Sequence, residues 1–219
     1  MSIMSFKVNS REYWENRFRS FDWRNKGGDR QSFIHAKKYI RFLNIPKDFD
    51  GIICDFGCAE GDAFVVYKKY FPKAKLVGID FSENAINFAK KKYGQLGEFV
   101  VGDATVVPKC DIIICSHIFE HIEDEDILFK ILIKKCQRLF IIVPYKEEFG
   151  FEEHLRTYDE HHYDKYKPER IKICGAGFVM SGLDLIFNVY IKNILRPFFG
   201  KKIIKEPQQI IYEFIGKAE

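Results

Sequence analysis

The sequence predicts a doubly wound α/β fold built on a mostly parallel sheet. Short apolar runs alternate with segments of helical spacing between residues 51 and 144, and such alternation is typical of βαβ units. Two of the runs, residues 112–115 and 139–143, are apolar at every position, as expected of strands that are covered on both faces. A glycine-rich turn follows the first run, at the sheet edge where these folds bind ligands.

Five strands and four helices are predicted in order along the chain. The strands are expected at residues 51–56, 75–80, 98–101, 111–115 and 139–143. The helices are expected where apolar side chains recur at three- and four-residue spacing, at residues 31–43, 62–71, 82–93 and 124–136. Pro46, Pro72 and Gly94 mark three helix ends, and Ser82 caps one helix start.

The alternation of strands and helices ends at Pro144. We expect a polar, histidine-rich loop over residues 145–164 and a helix near residues 168–174. Two further strands are expected, one within residues 178–190 and one at residues 209–215. The basic and aromatic insertion between them, residues 191–205, is interpreted as a solvated insertion, with contact to an anionic membrane surface as the alternative.

Composition bounds the class of protein. The chain has 219 residues, of which 47% are apolar, enough for one domain with a full core. The formal charge of +4 is a smaller basic excess than nucleic-acid binders usually carry, so no nucleic-acid partner is expected. No apolar run reaches the roughly 18 residues that span a bilayer, and the first residues lack the apolar region of a signal peptide. A cytoplasmic location with buried cysteine thiols is therefore expected.

The turn after the first strand carries the main functional signal, Asp55-x-Gly57-x-x-x-Gly61. Glycines at this turn let a ligand approach the backbone closely, and the helix that follows offers free N–H groups. Asp80 ends the second strand, 19 residues after Gly61, where a carboxylate can accept hydrogen bonds from both hydroxyls of a ribose. Asp103 follows the third strand, at the same sheet edge.

These motifs resemble those of class I methyltransferases that use S-adenosylmethionine (SAM). The similarity covers roughly residues 50–145 and includes the segments Gly78-Ile79-Asp80-Phe81-Ser82 and Gly102-Asp103-Ala104. The resemblance implies a Rossmann-like sheet of seven strands with an antiparallel final strand. It also implies one domain, in which an N-terminal helical lid (1–49) and a SAM-binding core (50–145) precede an acceptor loop, the last strands and the basic insertion (146–219).

The resemblance gives each motif a role in binding SAM. Asp55 and Gly57 would lie near the methionine part of the cofactor, Asp80 would bind the ribose and Asp103 would contact the adenine. Ala59 stands where the family usually has a glycine, a change that the motif commonly tolerates. The cofactor-binding positions implied in this way are Asp55, Gly57, Cys58, Ala59, Gly61, Asp80, Phe81, Asp103, Ala104 and Ser116.

A nicotinamide-dependent dehydrogenase is the alternative for a glycine-rich turn at this position. Its fingerprint is G-x-G-x-x-G, whereas Gly57 and Gly61 are four residues apart and Ala59 lies between them. The Gly-Asp-Ala sequence after the third strand also favours SAM. We therefore expect a transferase rather than an oxidoreductase.

Histidines that follow the fourth and fifth strands are the candidate catalytic residues. Methyl transfer mainly requires alignment of the nucleophile, and a hydroxyl acceptor also gains from a general base. His117 and His121 follow the fourth strand, and the resemblance places Ser116 and His117 at the reactive end of the cofactor. His154 lies in the loop after the fifth strand. The alternative for Glu120-His121 is a structural role, because such a pair often packs this loop in the superfamily.

A site without a metal is expected, with one alternative. Some methyltransferases that act on RNA 3′ ends or on ubiquinone precursors have Glu-x-x-Glu-His here and bind a divalent metal, and this chain has His117 in place of the first Glu. A metal site would draw on His117, Glu120, His121 and His154. Its mixed nitrogen and oxygen ligands would suit zinc, manganese or iron better than magnesium.

The acceptor is expected to be a small molecule or a sugar that is methylated on oxygen. Tyr13 and Trp14 near the N-terminus and Tyr145 after the fifth strand are the candidate pocket residues. Methylation of nucleobase amino groups is disfavoured, because the fourth strand is followed by Cys-Ser-His-Ile and not by an Asn-Pro-Pro-Tyr type of motif. RNA methylation and a SAM-binding partner protein without activity of its own are the alternatives.

Overall fold

A seven-stranded sheet in the order β3-β2-β1-β4-β5-β7-β6 forms the centre of the computed structural model, which describes residues 6–147, 152–178 and 186–217. Strands β1 to β5 are parallel, and β7 runs antiparallel to both of its neighbours. This topology confirms the predicted α/β sheet with an antiparallel final strand. The strands are β1 (Ile52–Phe56), β2 (Lys75–Asp80), β3 (Glu98–Val101), β4 (Cys110–Ser116), β5 (Cys136–Pro144), β6 (Arg170–Gly175) and β7 (Gln208–Ile215).

Seven α-helices accompany the sheet in the described part of the chain. The predicted helices at residues 31–43, 62–71 and 82–93 are confirmed, with ends that differ by a few residues. Ser82 caps the last of these, as predicted, because its Oγ accepts a hydrogen bond from the N–H of Ala85 at 3.1 Å. None of the described helices is long and apolar enough to cross a bilayer. The helices are α1 (Arg11–Arg19), α2 (Asp22–Asn25), α3 (Gly28–Tyr39), α4 (Phe64–Tyr70), α5 (Glu83–Tyr93), α6 (Glu125–Leu132) and α7 (Lys192–Leu195).

The sheet separates two apolar cores. Successive residues of a strand point to opposite faces, so Ile53 and Phe140 pack with α3, α4 and α5 on one face. Their neighbours Cys54 and Ile141 pack with α6 on the other face. This burial on both faces explains the continuous apolar runs in the sequence. The six cysteines are all buried, as expected.

In the second half of the chain, one predicted helix is observed as α6 but ends earlier than predicted, and another predicted helix is a strand. The helix predicted at residues 124–136 ends at Leu132, and Cys136 already belongs to β5, where it pairs with Cys110 of β4. The helix predicted near residues 168–174 is strand β6. Ile171 and Ile173 alternate with charged residues at the two-residue period of a strand, and both pack against the core.

The strand predicted within residues 178–190 is also not observed where the structure describes it. Residues 179–185 lie outside the described part of the chain, and Ile186–Ile191 form a π-helical turn that leads into α7. The strand predicted at residues 209–215 is confirmed as β7.

One buried carboxylate, that of Glu213 in β7, joins the end of the sheet to the N-terminal segment. Its Oε1 accepts a hydrogen bond from Nε of Arg138 and its Oε2 accepts one from Nε of Arg170, both at 2.8 Å. The same guanidinium groups donate to the carbonyl oxygens of Leu43 at 2.7 Å and Phe42 at 2.6 Å. Glu213 therefore connects β5, β6 and β7 with the chain that follows α3.

We expect Glu213→Gln to lower the free energy of unfolding by about 2 kcal/mol, because two partly buried guanidinium groups lose their carboxylate. Urea denaturation of the purified protein measures this change. Glu98→Gln, on the exposed start of β3, is the matched control and should change stability by less than about 0.5 kcal/mol. Equal effects of the two substitutions would contradict the role given to Glu213.

Candidate functional site

The turn between β1 and α4 has the backbone shape that the glycine motif predicts. Gly57, Ala59 and Gly61 have φ angles of 76°, 48° and 81°, in the left-handed region that favours glycine. A Cβ added to Gly57 would lie 2.1 Å from Cδ1 of Ile118, in the loop after β4. The turn is thus packed closely against the next loop of the same sheet edge, and Gly57 has no room for a side chain.

Asp80 at the end of β2 is held by two backbone N–H groups. Its Oδ2 accepts a hydrogen bond from Ala59 and its Oδ1 accepts one from Ser82, both at 2.9 Å. Asp80 is 8% exposed, and burial raises its pKa to about 6 although the two hydrogen bonds oppose this. The carboxylate therefore ties the glycine turn to the start of α5.

The other predicted cofactor residues on this edge lie at the ends of β2 and β3. The carbonyl oxygen of Phe81 accepts a hydrogen bond from Nη2 of Arg11 in α1 at 3.1 Å. Asp103 is exposed and accepts hydrogen bonds from the N–H of Thr105 at 2.8 Å and from its hydroxyl at 2.6 Å, and the hydroxyl is the main cause of a lowered pKa of Asp103. Ala104 is buried beside it. The ends of β1, β2 and β3 thus form one continuous edge.

A chain of buried hydroxyls links Asp55 of β1 to Ser116 of β4. Tyr67 of α4 donates to Asp55, and its hydroxyl lies 2.5 Å from that of Tyr39 in α3. Tyr39 in turn hydrogen-bonds Ser116. Burial raises the pKa of Asp55 to about 7, and the hydrogen bond from Tyr67 lowers it in part. Neither tyrosine was predicted as a site residue, because the sequences of α3 and α4 show only the apolar spacing of amphipathic helices.

Helix α1 lies across this edge and contacts it on two sides. Near the β2 end, the side chain of Glu15 accepts a hydrogen bond from the N–H of Asn84 at 3.3 Å. On the other side, Nη1 of Arg17 lies 2.6 Å from Oε1 of Glu153, and the hydroxyl of Tyr13 donates to the same carboxylate. The helix therefore bridges the start of α5 and the loop after β5.

His117 is fixed by acceptors at both ring nitrogens. Nε2 lies 3.3 Å from Oε1 of Gln209, and Nδ1 lies 3.2 Å from Oε1 of Glu120. Gln209 is oriented by its own amide hydrogen bond, at 3.1 Å, to the carbonyl oxygen of Gly175. The ring also stacks on buried His35 at 4.1 Å between centroids, and burial lowers the pKa of His35 well below 6.5. Sequence reasoning did not identify His35, which reads as one residue of an amphipathic helix.

His121 and His154 lie side by side, with ring centroids 5.0 Å apart. Nδ1 of His121 lies 2.9 Å from the carbonyl oxygen of Glu153, and Nδ1 of His154 lies 2.5 Å from Oε2 of Glu147. Burial lowers the pKa of His121. Burial alone would also lower that of His154, but the hydrogen bond to Glu147 and the nearby carboxylates outweigh it and raise the pKa above 6.5.

The predicted pocket residues separate into two places. Trp14 packs its ring edge against His121 at 5.1 Å, and Tyr13 packs against Trp14 at 5.4 Å. The hydroxyl of Tyr145 instead donates to Oε1 of Glu160 at 2.5 Å. Trp14 is therefore in direct contact with the histidine cluster, and Tyr13 lies behind it against Trp14 and Glu153. The side chain of Tyr145 contacts Glu160 and Lys146 instead.

Three residues of this cluster could hold a metal ion. Glu120, His121 and His154 each offer a ligand atom, and these atoms lie within 4.8 Å of one another. Glu120 is only 1% exposed, and within the described part of the chain its Oε1 makes an ion-pair contact with Nδ1 of His117 at 3.2 Å, while neither oxygen has a partner with hydrogen-bond geometry. Burial would raise the pKa of Glu120, but the neighbouring imidazole of His117 outweighs it and lowers the pKa. Nδ1 of His117, 3.2 Å from Oε1, is therefore the ionisable neighbour of this carboxylate.

Comparison with known proteins agrees with this geometry. A family model described as a methyltransferase domain matches residues 53–139, which run from β1 into β5. A search of curated protein sequences found no significant match.

Three solved structures illustrate the fold. The plantazolicin methyltransferase BpumL in complex with SAH is 18% identical, with a TM-score of 0.59 over 94% of this chain and 91% of that one. The complex of the Haloferax volcanii Trm112 methyltransferase activator with a candidate methyltransferase gives 13% identity and a TM-score of 0.66 over 94% and 98%. Coclaurine N-methyltransferase bound to N-methylheliamine and SAH gives 12% identity and a TM-score of 0.57 over 80% and 69%.

We expect Gly57→Ala to destabilise the protein by about 2–4 kcal/mol, from backbone strain of about 1–2 kcal/mol and a clash with Ile118 of about 1–3 kcal/mol. Gly200→Ala is the matched control, because Gly200 has a φ of 64° and nothing within 4 Å of an added Cβ. Gly200→Ala therefore measures the cost of the backbone strain without the cost of the clash.

Urea denaturation of these variants, and of Gly57→Ala in an Ile118→Ala background, measures the cost of the backbone strain and the cost of the clash separately. The cost of Gly57→Ala should fall by about 1 kcal/mol or more when Ile118 is truncated. If Gly57→Ala and Gly200→Ala cost the same, the close contact between the turn and the loop after β4 does not constrain the fold.

Proposed function

We propose that the chain is a class I SAM-dependent methyltransferase that methylates an oxygen of a small molecule or a sugar, with His154 as general base. The observation that carries this proposal is the half-buried pair of Glu147 and His154, with 2.5 Å between the carboxylate oxygen and Nδ1. A carboxylate that accepts the Nδ1 hydrogen orients an imidazole to take a proton through Nε2. Such a base is needed for a hydroxyl acceptor, which must lose a proton on methylation.

We assign SAM to the sheet edge formed by the ends of β1, β2 and β3. The N–H groups of Ala59 and Ser82 occupy one hydrogen-bonding site on each oxygen of Asp80. A carboxylate oxygen accepts more than one hydrogen bond, so this fixed group can also accept from both ribose hydroxyls. Asp103 would then lie beside the adenine, and Asp55 beside the methionine part. Cys58, Phe81 and Ser116 are assigned to the walls of the same crevice.

The proposed reaction is a direct displacement. SAM, when bound, supplies a methyl group on a positively charged sulfur. A hydroxyl acceptor that takes this methyl group must release its proton, and Nε2 of His154 would receive that proton. The raised pKa of His154 makes it a stronger base, but one that becomes deprotonated only above pH 6.5. Turnover should therefore rise with pH through the pKa of His154.

His117 and His121 are assigned positioning roles. Both ring nitrogens of His117 already contact side-chain oxygens of the protein, Nε2 that of Gln209 and Nδ1 that of Glu120, so we assign no proton transfer to this ring. His121 donates through Nδ1 to the carbonyl oxygen of Glu153 and packs between Trp14 and His154. His121 thus helps to set the position of His154 and of the loop that carries Glu153, and His117 connects the loop after β4 to β7 through Glu120 and Gln209.

The surroundings of His154 support a small acceptor with both apolar and polar parts. Trp14 offers an apolar ring, and Tyr13 and Arg17 carry polar groups that now bind Glu153. Helix α1 lies over this part of the sheet edge and would cover an acceptor placed against His154. Aromatic walls with a few polar groups are typical of pockets for small ligands.

We expect purified protein to release SAH from SAM with hydroxylated small molecules or sugars in an acceptor panel that also contains amines and RNA oligonucleotides. With the acceptor found, His154→Ala should lower turnover about 10²- to 10⁴-fold and leave the affinity for SAH unchanged. His161→Ala is the matched control, since the His161 side chain is 81% exposed and pairs with Asp164. Full turnover in His154→Ala, or turnover on RNA or amines alone, would contradict the proposal.

The same assay after exhaustive chelation separates a base from a metal. A base mechanism predicts unchanged turnover, because no ion takes part. Loss of turnover on chelation and its return with zinc or manganese would instead assign Glu120, His121 and His154 to a metal site.

We also expect Glu147→Gln to lower the pKa of His154, because the hydrogen bond and charge of Glu147 help to raise it. Histidine ring resonances followed by NMR through a pH titration measure this without any acceptor. Glu152→Gln, an exposed neighbour, is the control and should leave the pKa in place. The pH at which turnover reaches half its maximum should fall together with this pKa in Glu147→Gln. If His154 titrates alike in both variants, Glu147 is not its partner in solution.

A further inference from the structure

A surface segment between β6 and β7 combines basic side chains with exposed apolar ones. Residues 190–205 contain five basic and no acidic residues. Without these five, the basic residues, 35 in all, would no longer outnumber the 31 acidic ones. The segment thus carries five positive charges and no negative charge. The five are Lys192, Arg196, Lys201, Lys202 and Lys205.

The same segment holds half of the exposed large apolar side chains of the described residues, seven of 14. Phe198 and Phe199 are 82% and 74% exposed, and Ile194 is 67% exposed. Exposed apolar side chains scattered singly are ordinary, whereas a contiguous group marks an interaction surface. The seven are Tyr190, Ile191, Ile194, Leu195, Phe198, Phe199 and Ile203.

Hydrogen bonds within the segment hold these side chains outward. The amide of Asn193 donates to the carbonyl oxygen of Ile204 at 2.7 Å and accepts from its N–H at 2.8 Å. Nη1 of Arg196 donates to the carbonyl oxygen of Lys202 at 3.0 Å, and Gly200 makes the turn with a φ of 64°. These bonds close a loop whose tip is the short helical turn Arg196–Phe199. The tip thus presents two phenylalanines between basic residues.

We propose that residues 190–205 dock the protein on the surface of an anionic lipid bilayer. Phenylalanine and isoleucine side chains at the tip would enter the interfacial region, while the basic side chains would bind lipid phosphates. One shallow groove combines cations with apolar surface, and this combination complements the anionic phosphate of a phospholipid and its first acyl carbons. The groove is lined by Lys192, Leu195, Arg196, Phe199 and Lys201. Single-stranded RNA would match the charge but would leave the isoleucines and Leu195 in water.

The docking segment adjoins the sheet edge that carries the functional site. It leads directly into β7, which begins at Gln208, and Gln209 is the residue that contacts His117. A membrane bound by the segment would therefore lie on the side of the molecule where the acceptor is proposed to enter. The docking itself does not depend on the identity of the acceptor.

Co-sedimentation with vesicles tests the proposal. We expect full-length protein to bind phosphatidylcholine vesicles that contain phosphatidylglycerol at least about 10-fold more tightly than phosphatidylcholine alone, with binding weakened by salt. Lys201→Glu/Lys202→Glu should weaken binding about 30-fold or more, at roughly 1 kcal/mol for each lysine removed. Phe198→Ser/Phe199→Ser should also weaken it, and binding should then be more sensitive to salt.

Lys90→Glu/Lys91→Glu, on the exposed end of α5, makes the same charge change elsewhere and should have at most a small effect. Thermal melting of each variant checks that the fold is kept, as expected for substitutions of exposed side chains. No preference for anionic vesicles, equal losses in the two charge variants, or tighter binding to a single-stranded RNA that the phenylalanine substitutions leave unchanged would each overturn the proposal.

Discussion

The carboxylate of Asp80 is the interaction on which the functional edge of this protein depends. It accepts hydrogen bonds from Ala59 in the glycine turn and from Ser82 at the start of α5, so one buried group fixes two loops that belong to neighbouring strands. A buried carboxylate without such donors would cost several kcal/mol. The turn can adopt the required left-handed angles because Gly57 and Gly61 carry no side chain. Parallel strands then bring the other site residues to the same edge.

The second half of the site is built on shared carboxylates. The carboxylate of Glu153 accepts a hydrogen bond from the hydroxyl of Tyr13 and pairs with the guanidinium of Arg17, both in α1. The backbone carbonyl oxygen of Glu153 lies next to Nδ1 of His121. The position of α1 is therefore coupled to that of the histidine cluster. Glu147 acts in the same way on His154. A substitution in α1 should consequently affect the base as well as the opening of the crevice.

The sequence predicted the part of the fold that follows a regular period. Strands that are buried on both faces read as continuous apolar runs, and Asp80 stood at a strand end where its role could be inferred. Strand β6 was missed because Ile171 and Ile173 alternate over too few residues between loops to outweigh a helical interpretation. Tyr39 and His35 were missed for a different reason. Each is one residue of an amphipathic helix, and only tertiary packing brings it to Tyr67 or His117.

The most direct test of the account is a calorimetric titration of the purified protein with SAH and, separately, with NADH. We expect SAH to bind at micromolar concentrations, NADH to show no binding, and Asp80→Asn to weaken SAH binding about 10-fold or more because charged hydrogen bonds to the ribose are lost. Asp48→Asn, on an exposed loop before β1, should bind as the unaltered protein does. Binding of NADH, or SAH binding that is indifferent to Asp80→Asn, would contradict the assignment of this sheet edge to SAM.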